Sequence, residues 1–230
     1  MNRINIGCGY DHRPGYLNVD MDPACKPDVL VTDNQFSTLP RQSFDEVLAK
    51  DVLEHIPRLD TLKALLEWAD LLKPKGRLIV QTASFLDIAR NMASVDKYGP
   101  QHGWTIAAYG NQVHAGDFHH MTFTPLTLRV HLLAAGFDVG RIWVQDEWVL
   151  HGLATKASDW TELLERTGEM TDPRFINECY QAAFGRDVDQ AGHEFLMQAL
   201  AERRMTRRQA LRHVSGSQER LLVTAERLGL

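Results

Sequence analysis

The segment INIGCGYDHRPGYLNVD, residues 4–20, closes off most of the ways this chain could fold. An apolar strand runs into Gly7-Cys8-Gly9, and a second strand ends on the carboxylate of Asp20. Glycines at a strand end permit positive φ and let a ligand approach the backbone. An aspartate ending the neighbouring strand can accept hydrogen bonds from both hydroxyls of a ribose. A dinucleotide-binding unit also needs a third glycine at a helix N-terminus, where pyrophosphate sits, and an acid about 20 residues on. Here position 12 is His, Pro14-Gly15 interrupts any helix, and only a short loop precedes Asp20. The pattern predicts a ligand with a ribose and without a pyrophosphate.

Runs rich in Val, Ile and Leu alternate with helical-period segments to about residue 157, as in parallel strands joined by helical crossovers. An α/β, doubly wound sheet is predicted, with strands at 3–7, 16–20, 29–32, 44–49 and 76–82 and a closing antiparallel pair at 137–144 and 147–155. Helices are predicted at 60–72, stopped by Pro74-Lys75-Gly76, at 86–92, and at 125–135, stopped by Gly136. Residues 93–123, aromatic, histidine-bearing and punctuated by glycine, read as a lid loop. Beyond residue 157 the pattern is helical only. Thr171-Asp172-Pro173 opens the first of three short amphipathic helices, at 174–184, 190–203 and 206–215. The domains expected are 1–158 and 173–230, with a linker at 159–172. Because the sheet and its crossovers are complete by Thr155, residues 1–160 are expected to fold without the tail.

With 44% hydrophobic and 24% charged residues, the 230-residue chain has a globular composition. A net charge of -5 supplies no basic footprint for nucleic acid or an anionic membrane. No run approaches the roughly 18 apolar residues of a membrane helix, and Met1-Asn2-Arg3 leads into the first strand rather than a signal peptide. Together these predict a cytoplasmic protein. Cys8, Cys25 and Cys179 match neither a disulfide framework nor a zinc pattern and read as free thiols. Through residue 172 the chain carries 16 Lys and Arg against 23 Asp and Glu, and thereafter 9 against 7, which suggests two units with separate histories.

Gly7-Cys8-Gly9, the GYLNVD of residues 15–20, SFDEVLAKDVLEHIP at 43–57 and LLKPKGRLIVQT at 71–82 together resemble bacterial class I S-adenosylmethionine-dependent methyltransferases. More narrowly they resemble the short-loop subgroup often encoded with polysaccharide genes. The resemblance implies a Rossmann-like, mainly parallel seven-stranded sheet, S-adenosylmethionine as cofactor, and methyl transfer to an oxygen acceptor such as a sugar hydroxyl. It implies that Gly7, Cys8 and Gly9 face the methionine moiety, Asp20 the ribose, Met21 the adenine and Asp33 the adenine amino group, with Ala49, Lys50 and Asp51 lining the cofactor. Arg13 would pair its carboxylate. Plain structural readings stand beside these: a solvated loop arginine for Arg13, a turn residue for Asp33, a surface ion pair for Lys50 and Asp51. An NAD-using epimerase is disfavoured by the missing phosphate helix. A cofactor-binding scaffold without turnover, or a methyltransferase for another small metabolite, is the alternative.

An imidazole titrates near neutral pH and can take a hydroxyl proton as methyl transfer proceeds. HAGDFHHMTF, residues 114–123, should overhang the strand edge where the cofactor binds, which makes His119 and His120 candidate bases, with His55 of Leu53-Glu54-His55 a second choice. Adjacent histidines cannot both point inward. A divalent metal on His114, Asp117 and His119 is a further reading, though two histidines suit magnesium poorly. The tail, FINECYQAAFGRDVDQAGHEFLMQAL followed by MTRRQALRHVSGSQER, resembles a small bacterial domain of unknown function found beside glycosyltransferases. Phe175, Ile176, Cys179, Tyr180, Phe184, Phe195, Leu196 and Leu200 recur at helical spacing and are predicted as core. Arg203, Arg204, Arg207, Arg208 and Arg212 form either a solvated face or a docking surface, toward a glycosyltransferase or a second copy.

Overall fold

In the computed structural model, which describes residues 2–32 and 36–230, strand alternation builds the core. The strands are β1 (Arg3–Ile6), β2 (Leu17–Asp20), β3 (Val29–Leu30), β4 (Phe44–Lys50), β5 (Leu72–Ala83), β6 (Phe137–Gln145) and β7 (Val149–Lys156). Ile4, Ile6, Val19, Val47, Ala49, Leu78 and Val80 project to one face, and all are buried. The order is β3-β2-β1-β4-β5-β7-β6, with the first five strands parallel and β7 antiparallel to both neighbours. This is the expected Rossmann-like, mainly parallel seven-stranded sheet.

The buried face is covered by α1 (Thr61–Leu71), which joins β4 to β5, and by α4 (Pro125–Ala134), which joins β5 to β6. Between β5 and α4 the chain forms α2 (Phe85–Ser94) and α3 (Tyr98–Tyr109), packed on each other. The 93–123 segment is therefore not a bare loop. Gly99 and Gly103 weaken helix propensity and α3 buries no residue, so it lacks the apolar stripe that reveals a helix in sequence. Pro100 sits in its first turn, where a missing N–H costs no bond.

The other sheet face gets no such cover from its crossovers. The β1–β2 connection is a helix-free loop, and β2–β3 contains only a 3-10 turn at Pro23–Cys25. This face carries polar rows instead. Arg3, Glu46 and Arg77 stand in register across β1, β4 and β5. Arg77 pairs Glu46 at 2.6 Å, the Tyr16 hydroxyl donates to the same carboxylate, and Arg3 lies over the Tyr16 ring. One row further, Asn5 donates to Asn18 Oδ1 (3.2 Å) and to the Asp11 carbonyl (2.9 Å), pinning the loop onto the sheet.

The tail holds more helices than the sequence pattern indicates. The expected linker contains α5 (Trp160–Arg166), and α6 (Asp172–Phe184), α7 (Gln190–Ala201) and α8 (Arg207–Ser215) are followed by α9 (Gln218–Arg227). Phe175, Ile176, Cys179, Phe184 and Leu196 form its core as predicted, with Tyr180 and Leu200 packed at its margin. Phe195 stays exposed beside the His213 ring.

α1 explains how tail and sheet join. Every position of this helix except Lys63 is buried, including Glu67 and Asp70 on the side away from the sheet. Arg212 donates to Glu67 Oε1 (2.7 Å) and to Asp70, Arg208 also binds Asp70, and Arg41 takes Glu67 Oε2 (2.9 Å). Burial holds the Asp70 carboxyl above its ordinary range even with these arginines beside it. Arg220 is a second joint. It donates to the Ala134 carbonyl at the end of α4 (3.4 Å) and the Ala183 carbonyl of α6 (2.7 Å), with its guanidinium over Trp160. Arg212, nearly buried, and Arg208, a third exposed, are thus paired to α1 carboxylates, whereas Arg203 and Arg204 are exposed.

Arg212 is 12% exposed and Asp70 2% at their side chains. Arg212→Ala, which leaves Asp70 and Glu67 under-compensated, is expected to cost about 3–5 kcal/mol in urea unfolding of the full chain. Stability within 1 kcal/mol of wild type, roughly the level of an exposed pair, would mean that water replaces the guanidinium and the joint is superficial.

Candidate active site

Parallel strands bring their C-terminal ends to one edge, and most of the sequence-predicted residues meet there. Gly7 and Gly9 have φ of 62° and 49°. A Cβ on Gly7 would lie 2.5 Å from Val52 Cγ2, whereas one on Gly9 would meet nothing within 4 Å, so the loop leaves open space in front of Gly9 alone. Asp20 Oδ2 accepts from Gly9 N (2.7 Å) and Oδ1 from Asp22 N (2.9 Å). Each carboxylate oxygen keeps acceptor capacity for a ligand hydroxyl. An open glycine loop beside a strand-end carboxylate fits a nucleoside carrying an amino-acid tail.

Other expected contacts are placed differently. The Cys8 side chain is buried, and burial, then Asp20, pushes its thiol up to about 11, so it packs as a neutral group. Ala49 is fully buried in the core, leaving only its backbone at the edge. Arg13 pairs Asp11 at 2.8 Å, and Lys50 approaches the same carboxylate at 3.9 Å. Met21 is 54% exposed just past Asp20. Asp51, with φ of 52°, accepts from Gln81 Nε2 (3.0 Å) and donates its N–H to the Gln81 carbonyl (3.0 Å). Asp33 lies outside the described residues.

The three histidines separate by environment. His55, in the 3-10 turn Leu53–His55, lies 3.1 Å through Nδ1 from the Phe118 carbonyl, and its ring meets His119 edge-on with centroids 4.8 Å apart. His119 is half-buried and points Nδ1 at the Ala107 carbonyl (3.1 Å). A ring nitrogen facing a carbonyl carries the hydrogen, so in neutral His119 Nε2 holds the lone pair. Burial, then His55, holds His119 below the usual histidine value. His120 is exposed, tied by its N–H to the Glu54 carbonyl (2.8 Å). The metal reading finds no support: His114 accepts from Gly116 N, and among the described residues no three His, Cys, Asp or Glu side chains are grouped to hold an ion.

Sequence reasoning passed over Glu54. It is 2% exposed, accepts from the Thr82 hydroxyl (2.8 Å), and burial pushes its carboxyl up to about 7. Its carbonyl receives the N–H groups of His120 and Met121, so it fastens the histidine loop to the ends of β4 and β5. Asp11, Asn5, Asn18 and Gln81 were also missed. The two asparagines break otherwise apolar strands, which is the signal that could have found them.

Among known families, a match falls on the first five strands of the sheet. Residues 5–80 match a methyltransferase domain. Residues 157–222 match a domain of unknown function, DUF4214, and no curated protein matches the chain. Similar solved structures include a possible exported protein from Bordetella parapertussis (16% identity, TM-score 0.49, covering 68% of this chain and 62% of that one). Two more are an Aquifex aeolicus SAM-dependent methyltransferase (14%, 0.47, 68% and 82%) and one from Mesorhizobium loti (17%, 0.47, 67% and 90%). No helix among the described residues is long and apolar enough to cross a membrane.

Two predictions follow from Glu54 and the glycines. Glu54 binds its proton more tightly folded than unfolded, so its contribution to stability is greatest below the ordinary glutamate value of 4.5 and is lost as pH rises through about 7. Glu54→Gln is expected to raise the midpoint of thermal unfolding at pH 8 and to change it little at pH 4.5, an effect on the order of 3 kcal/mol. Equal shifts at both pH values would contradict the raised carboxyl. Gly7→Ala, which drives a methyl into Val52, should destabilise more than Gly9→Ala, which meets only backbone strain of about 1 kcal/mol; circular dichroism melts of the two variants compare them.

Proposed function

We propose that this chain transfers a methyl group from S-adenosylmethionine to a hydroxyl of a sugar or polysaccharide-related acceptor, with His119 as the general base. The observation that carries the oxygen acceptor is the His55–His119 pair. Both rings have Nδ1 committed to a carbonyl, which in neutral His119 leaves the Nε2 lone pair to receive a proton. The depressed pKa keeps His119 unprotonated at neutral pH, the state a base requires.

When bound, S-adenosylmethionine supplies an electrophilic methyl that an acceptor oxygen displaces from sulfur. The protein's part is orientation and one proton. The Gly7–Gly9 loop would take the amino-acid tail, Asp20 the ribose hydroxyls, Met21 one side of the adenine, and Lys50 and Asp51 would flank the cofactor from the end of β4. Holding donor and acceptor in line accounts for most of the acceleration expected of such a site. His119 Nε2 would receive the hydroxyl proton as the new bond forms.

A saccharide acceptor is favoured by the cleft beside this base. Ala107, whose carbonyl anchors His119, lines a cleft of about 360 Å³ with Pro100, Gly103, Trp104 and Trp148. The two indoles meet edge-on with centroids 6.4 Å apart. Aromatic walls without a charged side chain suit an uncharged ring whose faces are C–H and whose edges are hydroxyl.

Asp20→Ala is expected to weaken S-adenosylmethionine binding by about 1–3 kcal/mol in calorimetry; unchanged affinity with the fold intact would remove the ribose role. His119→Ala should lower turnover about 10²-fold with cofactor affinity preserved, while His120→Ala stays near wild type. In wild type the acid limb of kcat should fall below the ordinary histidine range, because the base loses activity only once pH drops through its depressed pKa. Labelled cofactor with sugar nucleotides and surface polysaccharide as acceptors provides the assay. Cofactor binding without turnover on any acceptor would point to a scaffold.

A further inference from the structure

We propose that the acceptor is an uncharged oligosaccharide of at least two residues, and that the cleft between α3 and the β6–β7 turn holds the sugar ring next to the one that is methylated. This rests on the assignment of His119 as the base and extends it to the class of substrate. The walls of the cleft are Pro100, Gly103, Trp104 and Ala107 of α3, facing Trp148. The four α3 positions fall at i, i+3, i+4 and i+7, one face of the helix, so the cleft follows the helix axis for about 10 Å. That is longer than one pyranose ring.

Position relative to the base decides which ring the cleft can hold. His119 turns Nδ1 toward Ala107, whose carbonyl lies 3.1 Å away. The two nitrogens of an imidazole point in divergent directions, so Nε2, the proton acceptor, faces away from Ala107 and from the cleft that Ala107 lines. A hydroxyl that meets Nε2 therefore stands across the imidazole from a ring seated between the indoles. The two belong to neighbouring residues of one glycan.

Two features of α3 are not required by the fold. Gly103 lies inside the helix, where glycine is less stable than alanine. Its backbone is not left-handed, and a Cβ there would meet nothing within 4 Å. Neither conformation nor packing asks for glycine, but an open cleft floor does, because a methyl there would lift a ring off the helix. The second feature is missing charge. From Tyr98 to Leu128 the chain carries no Lys, Arg or Glu and a single Asp, Asp117, although 24% of all residues are charged. α3 buries no residue, so burial does not explain the depletion. A sugar nucleotide would call for cations around its diphosphate, whereas exposed aromatic walls suit the C–H faces of a neutral glycan. The opposite wall is fixed in advance: Asp146 and Glu147 turn the hairpin with φ of 51° and 68°, and the Trp148 carbonyl accepts from Ser84 N (2.8 Å), which anchors the backbone that carries the indole.

The test uses the full chain without cofactor and measures calorimetric binding of neutral gluco-, manno- and galacto-oligosaccharide ladders, from monosaccharide to tetrasaccharide, beside a uridine diphosphate sugar. Affinity is expected to rise at least tenfold from monosaccharide to disaccharide, with no gain from the diphosphate. Gly103→Ala and Trp104→Ala should each weaken disaccharide binding about tenfold or more, Gly103→Ala without lowering the melting point. Gly99→Ala, on the same helix with equally open space and outside the cleft, should change neither. Equal affinity for monosaccharide and disaccharide, preference for the diphosphate sugar, no binding by any neutral ladder, or full binding by both cleft variants overturns the proposal. Methyl transfer from labelled S-adenosylmethionine is scored separately. A length-dependent binder that is never methylated refutes the base role of His119 and leaves the carbohydrate cleft standing; methylation of free monosaccharides with no gain from length does the reverse.

Discussion

The short connection between β1 and β2 is the constraint from which the rest of the architecture follows. With no room for a helix between Gly9 and Asp20, one sheet face loses the cover that a crossover would bring. The side chains there are accordingly polar and mostly paired with one another, in the Arg3–Glu46–Arg77 row and the Asn5–Asn18 pair, with Arg3 Nε left without a partner among the described residues. Such rows keep the face compatible with water but add little hydrophobic stabilisation. The burden shifts to the opposite face, where α1 and α4 bury nearly everything the strands offer.

That shift makes the helical tail part of the fold. α1 is buried on all sides but one, and a helix of that kind needs a neighbour on its outer surface as well as the sheet on its inner one. α8 and α9 supply it, α8 against α1 and α9 against α4. The uneven charge of the two halves, an acidic first unit and a basic tail, becomes intelligible at this contact. Glu67 and Asp70 would be costly to bury alone, and Arg208, Arg212 and Arg41 offset that cost. Truncation at residue 160 would uncover this outer face of α1, with Glu67 and Asp70 on it, which the completeness of the sheet does not address.

What could be read from sequence was what short-range chemistry determines. Alternation places the strands within a few residues, and Gly7, Gly9 and Asp20 are legible because a ligand-facing turn and a strand-end carboxylate each leave a local signature. α3 was invisible because its residues face solvent and carry two glycines, so neither propensity nor periodicity marks it. α5, of seven residues, was overlooked for its brevity. Glu54, Asp11 and Gln81 owe their roles to partners on other strands, and the basic cluster owes its role to carboxylates on a helix far back in the chain. Linear order carries no record of those pairings.

The candidate site itself rests on a single turn. Leu53–His55 leaves β4, places Glu54 beneath the surface and His55 above it, and lets one backbone carbonyl hold the N–H groups of His120 and Met121. The same residue reaches Thr82 on β5 through its side chain. Burying that carboxyl is unfavourable for its charged form, which burial resolves by favouring the proton instead. The Ala107 and Ala108 carbonyls and Asp117 pull the His119 pKa upward, but burial outweighs them and keeps the imidazole below its ordinary value. The buried acid and the half-buried base are therefore consequences of one packing decision: closing the C-terminal edge of β4 and β5 with a turn and a returning loop, both held by Glu54, removes water from both groups and drives their pKa values in opposite directions, each toward its uncharged form.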